Sequence, residues 1–247
     1  MKHYYFILFF LISSKFGYSQ KADLINVDAL EFSRLIENEK GTLMDVRTTF
    51  EFKNGYIEGS GNLNYYSLSF QRRLLLLPKD KPIYLYCNTG YRSQKAGEIL
   101  VANGYTKVYN LQHGIMEWEQ NDLPVKVAPD AQPDTQDQFS IDQYYALLRS
   151  DKPVFIDFYA PWCGPCRQMM PMIDSLKVEY FQDVEIVKIN VDASKKLVKE
   201  LKLNSVPYLV LYHNGRNLYR NGGMAPRDEL EQQFNIAKRM AERASGK

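Results

Sequence analysis

Short apolar runs alternate with segments of helical periodicity along the first half of the chain. Three of the runs predict buried strands: TLMDV (Thr42–Val46), PIYLYC (Pro82–Cys87) and KVYNL (Lys107–Leu111). Helical segments fall between them, namely ALEFSRLIEN, which Asp28 can cap, and RSQKAGEILVANG, which ends at Gly104. Thr48 and Glu51 have the spacing of a capping box in front of a short helix. Helices alternating with short apolar strands predict a parallel sheet with helices on both faces.

The second half of the chain shows a different alternation. Strand signals lie in PVFIDFYA and VEIVKINV, and PYLVLYHNGRNLYR predicts a hairpin with Asn214 and Gly215 at its turn. Helical signals lie in SIDQYYALLRS, SKKLVKELKL and RDELEQQFNIAKRM, and a long helix that begins near Cys163 carries Pro171 inside it. The predicted fold class is therefore α/β, with a parallel N-terminal sheet and a mixed C-terminal sheet, both flanked by helices.

A segment rich in proline and aspartate separates the two halves. Residues 124–137, PVKVAPDAQPDTQD, contain three prolines and three aspartates and no aromatic residue, a composition that suits an extended, solvated linker. A chain of 247 residues is long enough for two domains, since ~150 residues is a usual domain length. We therefore predict a first domain over residues 24–124, a linker over residues 125–137 and a second domain over residues 138–247.

The N-terminus has the pattern of a secretory signal. A lysine near the start precedes an apolar run over Tyr4–Ile12, and a small polar stretch follows, so residues 1–19 are predicted to be a signal peptide cleaved near Ser19 or Gln20. The run is too short for a spanning helix, which needs ~20 residues. Because of this signal pattern, the protein is expected to be exported to the periplasm. The alternatives are a buried N-terminal strand and an uncleaved membrane anchor.

Composition and charge narrow the function classes. A formal net charge of +2 gives no reason to expect nucleic acid as a partner. The three histidines are scattered and none neighbours a cysteine pair, so we expect neither a metal site nor a bound cofactor. The three cysteines are an odd number, and two of them lie only three positions apart. Exported proteins use disulfides in even numbers as structural staples, so these thiols are expected to be chemically active.

Cys87 ends a predicted strand and begins the loop CNTGYR, which a helix follows at once. Backbone N–H groups at a helix N-terminus lower the pKa of a thiol and stabilise negative charge on the group that its sulfur carries. Gly90 permits a tight turn, and Arg92 adds a fixed cation. Two chemistries suit such a loop: phosphate-ester hydrolysis through a cysteinyl phosphate, and sulfur transfer through a cysteine persulfide. A loop of six residues favours the persulfide, because loops that hold phosphate are typically one residue longer. The alternative is an inert buried thiol.

Four segments in order resemble the rhodanese family of sulfurtransferases, from about residue 24 to residue 124. They are LMDVRTTFEF, GYIEGSGNL, CNTGYRSQKAGEIL and LQHGIMEW. The resemblance implies that Cys87 carries sulfane sulfur, taken from thiosulfate or from a persulfide donor. It also implies a loop that binds the sulfur anion, consisting of Asn88, Thr89, Gly90, Tyr91 and Arg92.

The chain departs from the rhodanese pattern at three positions. Tyr56 stands where the family usually has histidine, Glu58 where it has proline, and His113 where it has glycine. These positions are mainly structural, so they bear on donor preference more than on the fold. The charged residues of the first motif are interpreted as a supporting network rather than as catalysts: Asp45, Arg47 and Glu51.

The other two cysteines lie in PWCGPC, just after a predicted buried strand and at the start of a helix. Cys163 is expected to be the exposed nucleophile, since its position lowers the pKa of a thiol. Cys166 lies one turn further along and can resolve a mixed disulfide, and Pro165 stiffens the first helical turn. A zinc site would need a second Cys/His pair, which the sequence lacks.

The second half, over about residues 138–241, resembles thioredoxin, and WCGPC matches the active-site motif of that family. The resemblance implies thiol–disulfide exchange at this motif, with supporting roles for Trp162, Gly164, Pro165, Asp157, Lys188 and Pro207. In the family, a buried carboxylate at the position of Asp157 assists proton transfer, and a lysine at the position of Lys188 partners it. A cis-proline, here Pro207, lies opposite the dithiol. The Gly-Pro dipeptide resembles that of reducing thioredoxins, so this domain is expected to reduce its substrates and to draw electrons from a membrane relay.

The order of the two halves leads to the hypothesis that they act on the same sulfur atom. Cys87 would take up sulfane sulfur as a persulfide, which Cys163 attacks and Cys166 resolves with release of sulfide; the linker raises the effective concentration of the partners. Otherwise the acceptor is a protein disulfide or a low-molecular-weight thiol. Two alternatives stay open: a disulfide reductase whose first half serves a separate sulfur reaction, and a first half that binds persulfide or thiol partners without turnover.

Overall fold

The computed structural model of the protein describes residues 23–244, so the predicted signal peptide lies outside the described residues. Five parallel strands form the N-terminal sheet: β1 (Leu24–Val27), β2 (Thr42–Asp45), β3 (Gly61–Asn62), β4 (Ile83–Tyr86) and β5 (Val108–Leu111). They lie in the order β1-β5-β4-β2-β3. All residues of β4, at the centre of the sheet, are buried, as expected of a parallel strand covered on both faces.

Helices cover both faces of this sheet: α1 (Ala29–Asn38), α2 (Thr49–Lys53), α3 (Phe70–Leu74), α4 (Tyr91–Ala102) and α5 (Gly114–Gln120). On one face, α3 and α4 contribute Leu74 and Leu100 to an apolar cluster. On the other, α1 and α5 contribute Phe32 and Trp118 to a second cluster. Residues along β4 alternate between the two clusters, and this alternation places Cys87 on the face covered by α4.

The predicted helix starts are confirmed. The Asp28 carboxylate accepts a hydrogen bond of 2.9 Å from the N–H of Glu31, and both hydrogen bonds of the Thr48–Glu51 capping box are present. Each cap of this kind stabilises a helix by about 1 kcal/mol. The elements without a prediction of their own, β1, β3, α3 and α5, have two to seven residues. Such short elements have little periodicity of their own and depend on the neighbours that they contact.

Four strands form the C-terminal sheet: β6 (Val154–Tyr159), β7 (Glu185–Asn190), β8 (Tyr208–His213) and β9 (Arg216–Gly222). Their order is β7-β6-β8-β9; β6 is parallel to β7 and antiparallel to β8, which is antiparallel to β9. Four helices accompany them: α6 (Ile141–Leu147), α7 (Gly164–Glu179), α8 (Lys195–Glu200) and α9 (Arg227–Ala244). At the hairpin turn, Asn214 and Gly215 have φ angles of 48° and 71°, the left-handed pair that a type I′ turn requires. The predicted α/β fold class is confirmed in both halves.

No helix within residues 23–244 combines the length and the apolar character needed to span a bilayer.

The segment that joins the two sheets is hydrogen-bonded to the N-terminal domain along its first half. Lys126 and Tyr56 exchange two backbone hydrogen bonds of 2.8 Å. Further along, the Asn54 side chain donates to the carbonyl oxygen of Gln132 at 3.1 Å. This differs from the free linker that its composition predicts, because its backbone groups find partners on the domain surface.

The second half of the same segment is hydrogen-bonded to the C-terminal domain. The Asp134 carboxylate accepts a hydrogen bond of 2.7 Å from Asn190, and the Asp137 carboxylate accepts one of 2.6 Å from the Tyr159 hydroxyl. Two of the three aspartates that suggested a solvated linker therefore accept hydrogen bonds from the second sheet, and the third, Asp130, pairs with Lys53 of the first domain. Between the contacts to the two domains lies Pro133 alone.

Candidate active sites

The Cys87 loop is a tight connection between β4 and α4. Gly90, directly before the helix, has a φ of +85°, and a Cβ atom there would lie 1.9 Å from the carbonyl oxygen of Gln112. A side chain at this position would therefore be strained and would collide with backbone. The tight turn expected at Gly90 is present, and it turns the chain from the end of the strand into the first turn of the helix.

The start of α5 holds the other side of this loop. The N–H groups of Ile115 and Met116 donate to the carbonyl oxygens of Cys87 and Asn88, at 2.8 and 3.2 Å. Gly114 has a φ of +65°, and a Cβ atom there would lie 2.3 Å from the carbonyl group of Asn88. Gly114 is a site residue that the sequence-based predictions missed; its signal is a glycine that closely follows the third predicted strand.

The Cys87 thiol is buried in the loop, and the residue is 1% exposed. The hydroxyl of Ser93 donates a hydrogen bond to Cys87 Sγ at 3.5 Å. Ser93 was also missed, and its signal is a hydroxyl residue directly after the loop. The residues of the predicted anion-binding loop differ in exposure: Asn88, Gly90 and Arg92 are buried, Thr89 is half-buried and Tyr91 is 65% exposed.

Two buried ion pairs lie beside the loop and share one amide. Arg47 and Asp45 approach to 2.6 Å, as do Arg92 and Glu51. The Asn88 side chain joins the pairs, because its oxygen accepts from Arg47 at 3.1 Å and its nitrogen donates to Glu51 at 2.7 Å. These contacts agree with the interpretation of the three charged residues of the first motif as a supporting network.

Arg92, the fixed cation expected after the Cys87 loop, is paired with a buried carboxylate. Its guanidinium donates two hydrogen bonds to the Glu51 carboxylate, at 2.6 and 3.1 Å. Burial opposes the charge of Glu51, but the hydrogen bonds and the charge of Arg92 outweigh it and lower the pKa of Glu51. The partner lies 41 positions away along the chain, so no local motif indicates the pairing.

Replacing Glu51 with glutamine should destabilise the N-terminal domain by about 3–5 kcal/mol, because Arg92 would become a buried cation without a counter-charge. Urea denaturation followed by circular dichroism measures the change. The matched control is Glu98→Gln, which removes the exposed partner of Lys95 and should leave the unfolding midpoint unchanged. Equal midpoints for the two variants would contradict the importance of the buried pair.

The Cys163–Cys166 disulfide lies at the N-terminus of α7, and Pro165 occupies the first turn, where a missing N–H removes no helical hydrogen bond. Gly164 is the first residue of the helix. The expectation of an exposed Cys163 is wrong, since this residue is 3% exposed and Cys166 is 1% exposed. The physical reason is that both cysteines lie in the apolar cluster of the C-terminal domain, to which Met116 of α5 in the other domain also belongs.

Asp157 lies in β6 and is buried, and neither of its carboxylate oxygens has a hydrogen-bond partner among the described residues. Burial raises its pKa to about 7, although the positive charge of Lys188 acts in the opposite direction. Lys188 pairs with Asp157 in the β6–β7 register, but its ammonium group hydrogen-bonds the half-exposed carboxylate of Asp174 at 2.8 Å. The implied partnership is therefore one of charge without a hydrogen bond. The Val206–Pro207 bond is cis, as the resemblance implies.

The two cysteine sites meet across the domain boundary. The guanidinium carbon of Arg92 lies 5.8 Å from the ring centroid of Trp162, the residue before Cys163. The Trp162 ring nitrogen donates a hydrogen bond of 2.9 Å to Asp192, a residue that the sequence-based predictions missed. Burial raises the pKa of Asp192 to about 6, and the charge of Glu51 in the other domain acts in the same direction. Asp192 thus hydrogen-bonds the residue before Cys163 and responds to the charge of Glu51 beside the Cys87 loop.

A cavity of about 1130 Å³ lies between the two domains. Its wall includes Asn88, which follows Cys87, and Asp192, which binds Trp162. Within residues 23–244, no group of three or more His, Cys, Asp or Glu side chains is arranged to hold a metal ion.

Comparisons with known proteins place each half of the chain. A Rhodanese-like domain model matches residues 28–121, and a Thioredoxin model matches residues 125–236. Thioredoxin of Porphyra purpurea is 36% identical over 89 residues, which are 36% of this chain and 83% of that protein. Thioredoxin 1 of Nostoc sp. is 35% identical over 86 residues, 35% of this chain and 80% of that protein. The crystal structure of mitochondrial thioredoxin 3 from Saccharomyces cerevisiae, in its oxidized form, shares 32% identity over 40% of this chain and 92% of that one, with a TM-score of 0.37.

The two family models and the thioredoxin relatives support thiol–disulfide exchange in the second half and a sulfurtransferase-like module in the first. They also confirm the predicted order of the two domains. The chain therefore belongs to the thioredoxin family and carries a rhodanese-like domain in front of its thioredoxin domain.

Proposed function

We propose that the chain is an exported enzyme that takes up sulfane sulfur on Cys87 and releases it as sulfide through the dithiol of Cys163 and Cys166. The observation that carries the proposal is the contact between the two sites. Arg92, in the first turn of α4 directly after the Cys87 loop, lies over the ring of Trp162, the residue before Cys163. Two unrelated reactions do not require their sites to be in contact, whereas the transfer of a sulfur atom between two thiols requires the two thiols to approach each other.

The proposed reaction has three sulfur-exchange steps. The Cys87 thiolate attacks the outer sulfur of thiosulfate, and sulfite leaves, which forms a persulfide on Cys87. The Cys163 thiolate then attacks the outer sulfur of that persulfide, and the Cys87 thiolate leaves. Finally Cys166 attacks the inner sulfur of Cys163 and closes the disulfide, and hydrosulfide leaves with the proton of the Cys166 thiol. A low-molecular-weight persulfide can replace thiosulfate as the donor, with a thiol leaving in place of sulfite.

Each cycle leaves the second site as the disulfide and therefore consumes two electrons. A dithiol reductant must supply them, and an exported protein would receive them from a membrane relay. Reduction rather than oxidation is supported by the Gly-Pro dipeptide between the cysteines, which resembles that of reducing thioredoxins. Export to the periplasm is proposed from the sequence of residues 1–19 alone.

A second candidate function is a disulfide reductase whose rhodanese-like half binds persulfide or thiol partners without turnover. Two observations favour it. Cys87 is 1% exposed, and the cation of its loop is paired with Glu51. Both features reduce the reactivity expected of a thiol that must meet a dissolved donor.

Two cysteine substitutions separate these functions. We expect Cys87→Ser to lower thiosulfate:cyanide sulfur transfer on the order of 100-fold or more, because the nucleophile is lost, and to leave the reduction of insulin disulfides at the wild-type level. Cys163→Ser should have the opposite pattern. Sulfur transfer that survives in Cys87→Ser would refute uptake at that residue. A wild-type protein without sulfur transfer would support the binding module.

A further inference from the structure

We propose that the rhodanese-like domain closes over the Cys163–Cys166 centre and reserves it for sulfur delivered by Cys87, so that protein disulfides reach the centre only when the domains separate. The proposal deepens the proposed function and rests on it for the identity of the delivered sulfur. The closure itself rests on contacts between the domains and is independent of any activity of Cys87.

Residues of the first domain lie beside the buried disulfide and form the proposed cover. Cys163 is 3% exposed, and the apolar cluster that contains it includes Met116 of α5. Arg92 lies over Trp162, directly beside Cys163 along the chain. This cover comes from the first turn of α4 and from α5, the two helices that follow and support the Cys87 loop.

Polar contacts between α5 and α8 hold this cover in place. Glu119 and Lys195 form an ion pair of 2.5 Å, and a second ion pair joins Asp122, just after α5, to Lys199. The amide of Gln120 also donates to the carbonyl oxygen of Leu203. Both ion pairs are partly exposed, so each contributes little and is weakened by salt. The closed arrangement is therefore reversible.

The joining segment limits how far the domains can separate without losing further contacts. Its first half is hydrogen-bonded to the N-terminal domain and its second half to the C-terminal domain, with Pro133 between the two sets. Opening must therefore also release some of these hydrogen bonds. In the closed form, all of the hydrogen bonds between the joining segment and the two domains are present.

Thiol–disulfide exchange requires the attacking and attacked sulfur atoms to come into direct contact. A disulfide in a folded protein is surrounded by its own chain. The covered surface around Cys163 leaves no room for that chain. A small donor needs far less room, and the cavity of about 1130 Å³ reaches Asn88 of the Cys87 loop. The closed form thus selects small sulfane donors and excludes protein disulfides.

The test is a charge reversal on one side of the boundary and its compensation on the other. The variant Glu119→Lys with Asp122→Lys replaces both ion pairs by repulsion, and the addition of Lys195→Glu and Lys199→Glu restores attraction. None of these four residues belongs to the sulfur chemistry. Each protein is assayed at low salt with dithiothreitol as reductant, once with insulin and once with bis(2-hydroxyethyl) disulfide. Circular dichroism verifies folding.

We expect the double variant to reduce insulin about three- to tenfold faster than wild type, a range that matches the loss of two surface ion pairs, and the quadruple variant to return toward the wild-type rate. The rate with the small disulfide should change little in all proteins. Raising the salt to about 0.5 M should increase the insulin rate of wild type more than that of the double variant. The same pattern should persist in a Cys87→Ser background, which has lost sulfur uptake.

Equal insulin rates for wild type and the double variant would overturn the closure. So would equal acceleration with both disulfides, because a change in intrinsic reactivity has no size dependence. If the proposed function is wrong, Cys87→Ser and wild type will show equal sulfur transfer. The double variant will still reduce insulin faster than wild type, because closure does not depend on Cys87.

Discussion

The Cys166→Ser variant should trap the transferred sulfur on Cys163 and release almost no sulfide. In the proposed reaction, Cys166 displaces hydrosulfide from Cys163, so without it the sulfur stops at the second thiol. The Cys163→Ser variant should instead retain the sulfur on Cys87. We expect both variants to release sulfide at a rate on the order of 100-fold or more below that of wild type, because each lacks a nucleophile that acts directly on sulfur.

The measurement is a single turnover of fully reduced protein with thiosulfate. Released sulfide is quantified, and peptide mass spectrometry locates the cysteine that has gained one sulfur atom. Cys87→Ser is the matched control and should carry no added sulfur. Sulfide release at the wild-type rate from Cys163→Ser would show that the two sites are not coupled. Mixing Cys87→Ser with Cys163→Ser tests transfer between molecules, which should be slower than transfer within one chain.

The Asp157→Asn variant should be more stable than wild type near pH 8, and the two should become similar near pH 4. Asp157 is buried without a hydrogen-bond partner among the described residues, and its pKa is raised to about 7 from an ordinary value of 3.8. The folded state therefore favours the protonated acid. The resulting stabilisation is complete below pH 3.8 and is lost as the pH rises through about 7. A shift of this size corresponds to roughly 4 kcal/mol over the whole range.

Urea denaturation of the oxidised protein between about pH 4 and pH 8 measures this effect as the difference between variant and wild type. Other groups that titrate in the same range cancel in that difference. Asp142→Asn, which removes an exposed carboxylate of the same domain, is the control and should run parallel to wild type. A constant difference between Asp157→Asn and wild type over the whole pH range would contradict the raised pKa.

The capping box at Thr48, the hairpin turn at Asn214 and Gly215, and the tight turn at Gly90 illustrate what could be predicted from sequence. Each depends on a few consecutive residues whose backbone preferences act locally. The strand β3 could not be predicted in this way. It has two residues, and it is a strand only because Met44 and Asp45 of β2 lie beside it.

The candidate sites show the same difference between features set by consecutive residues and features set by distant ones. Motifs indicated Cys87, Cys163 and Cys166, since a loop and a helix start follow each strand end within a few residues. The pairing of Arg92 with Glu51 was not indicated, because the two residues are 41 positions apart and charge alone does not select a partner.

The sequence by itself determined the two α/β domains, their order and the cysteines at which sulfur chemistry is expected, because local preferences and short motifs carry that information. Only the tertiary structure decided that the two sites meet, that Cys163 is covered, and that the joining segment is fastened to both domains. The contact of Arg92 with Trp162 and the ion pair of Glu119 with Lys195 join residues about seventy to eighty positions apart. Such contacts depend on the complementarity of two folded surfaces, and a local sequence pattern does not encode that complementarity.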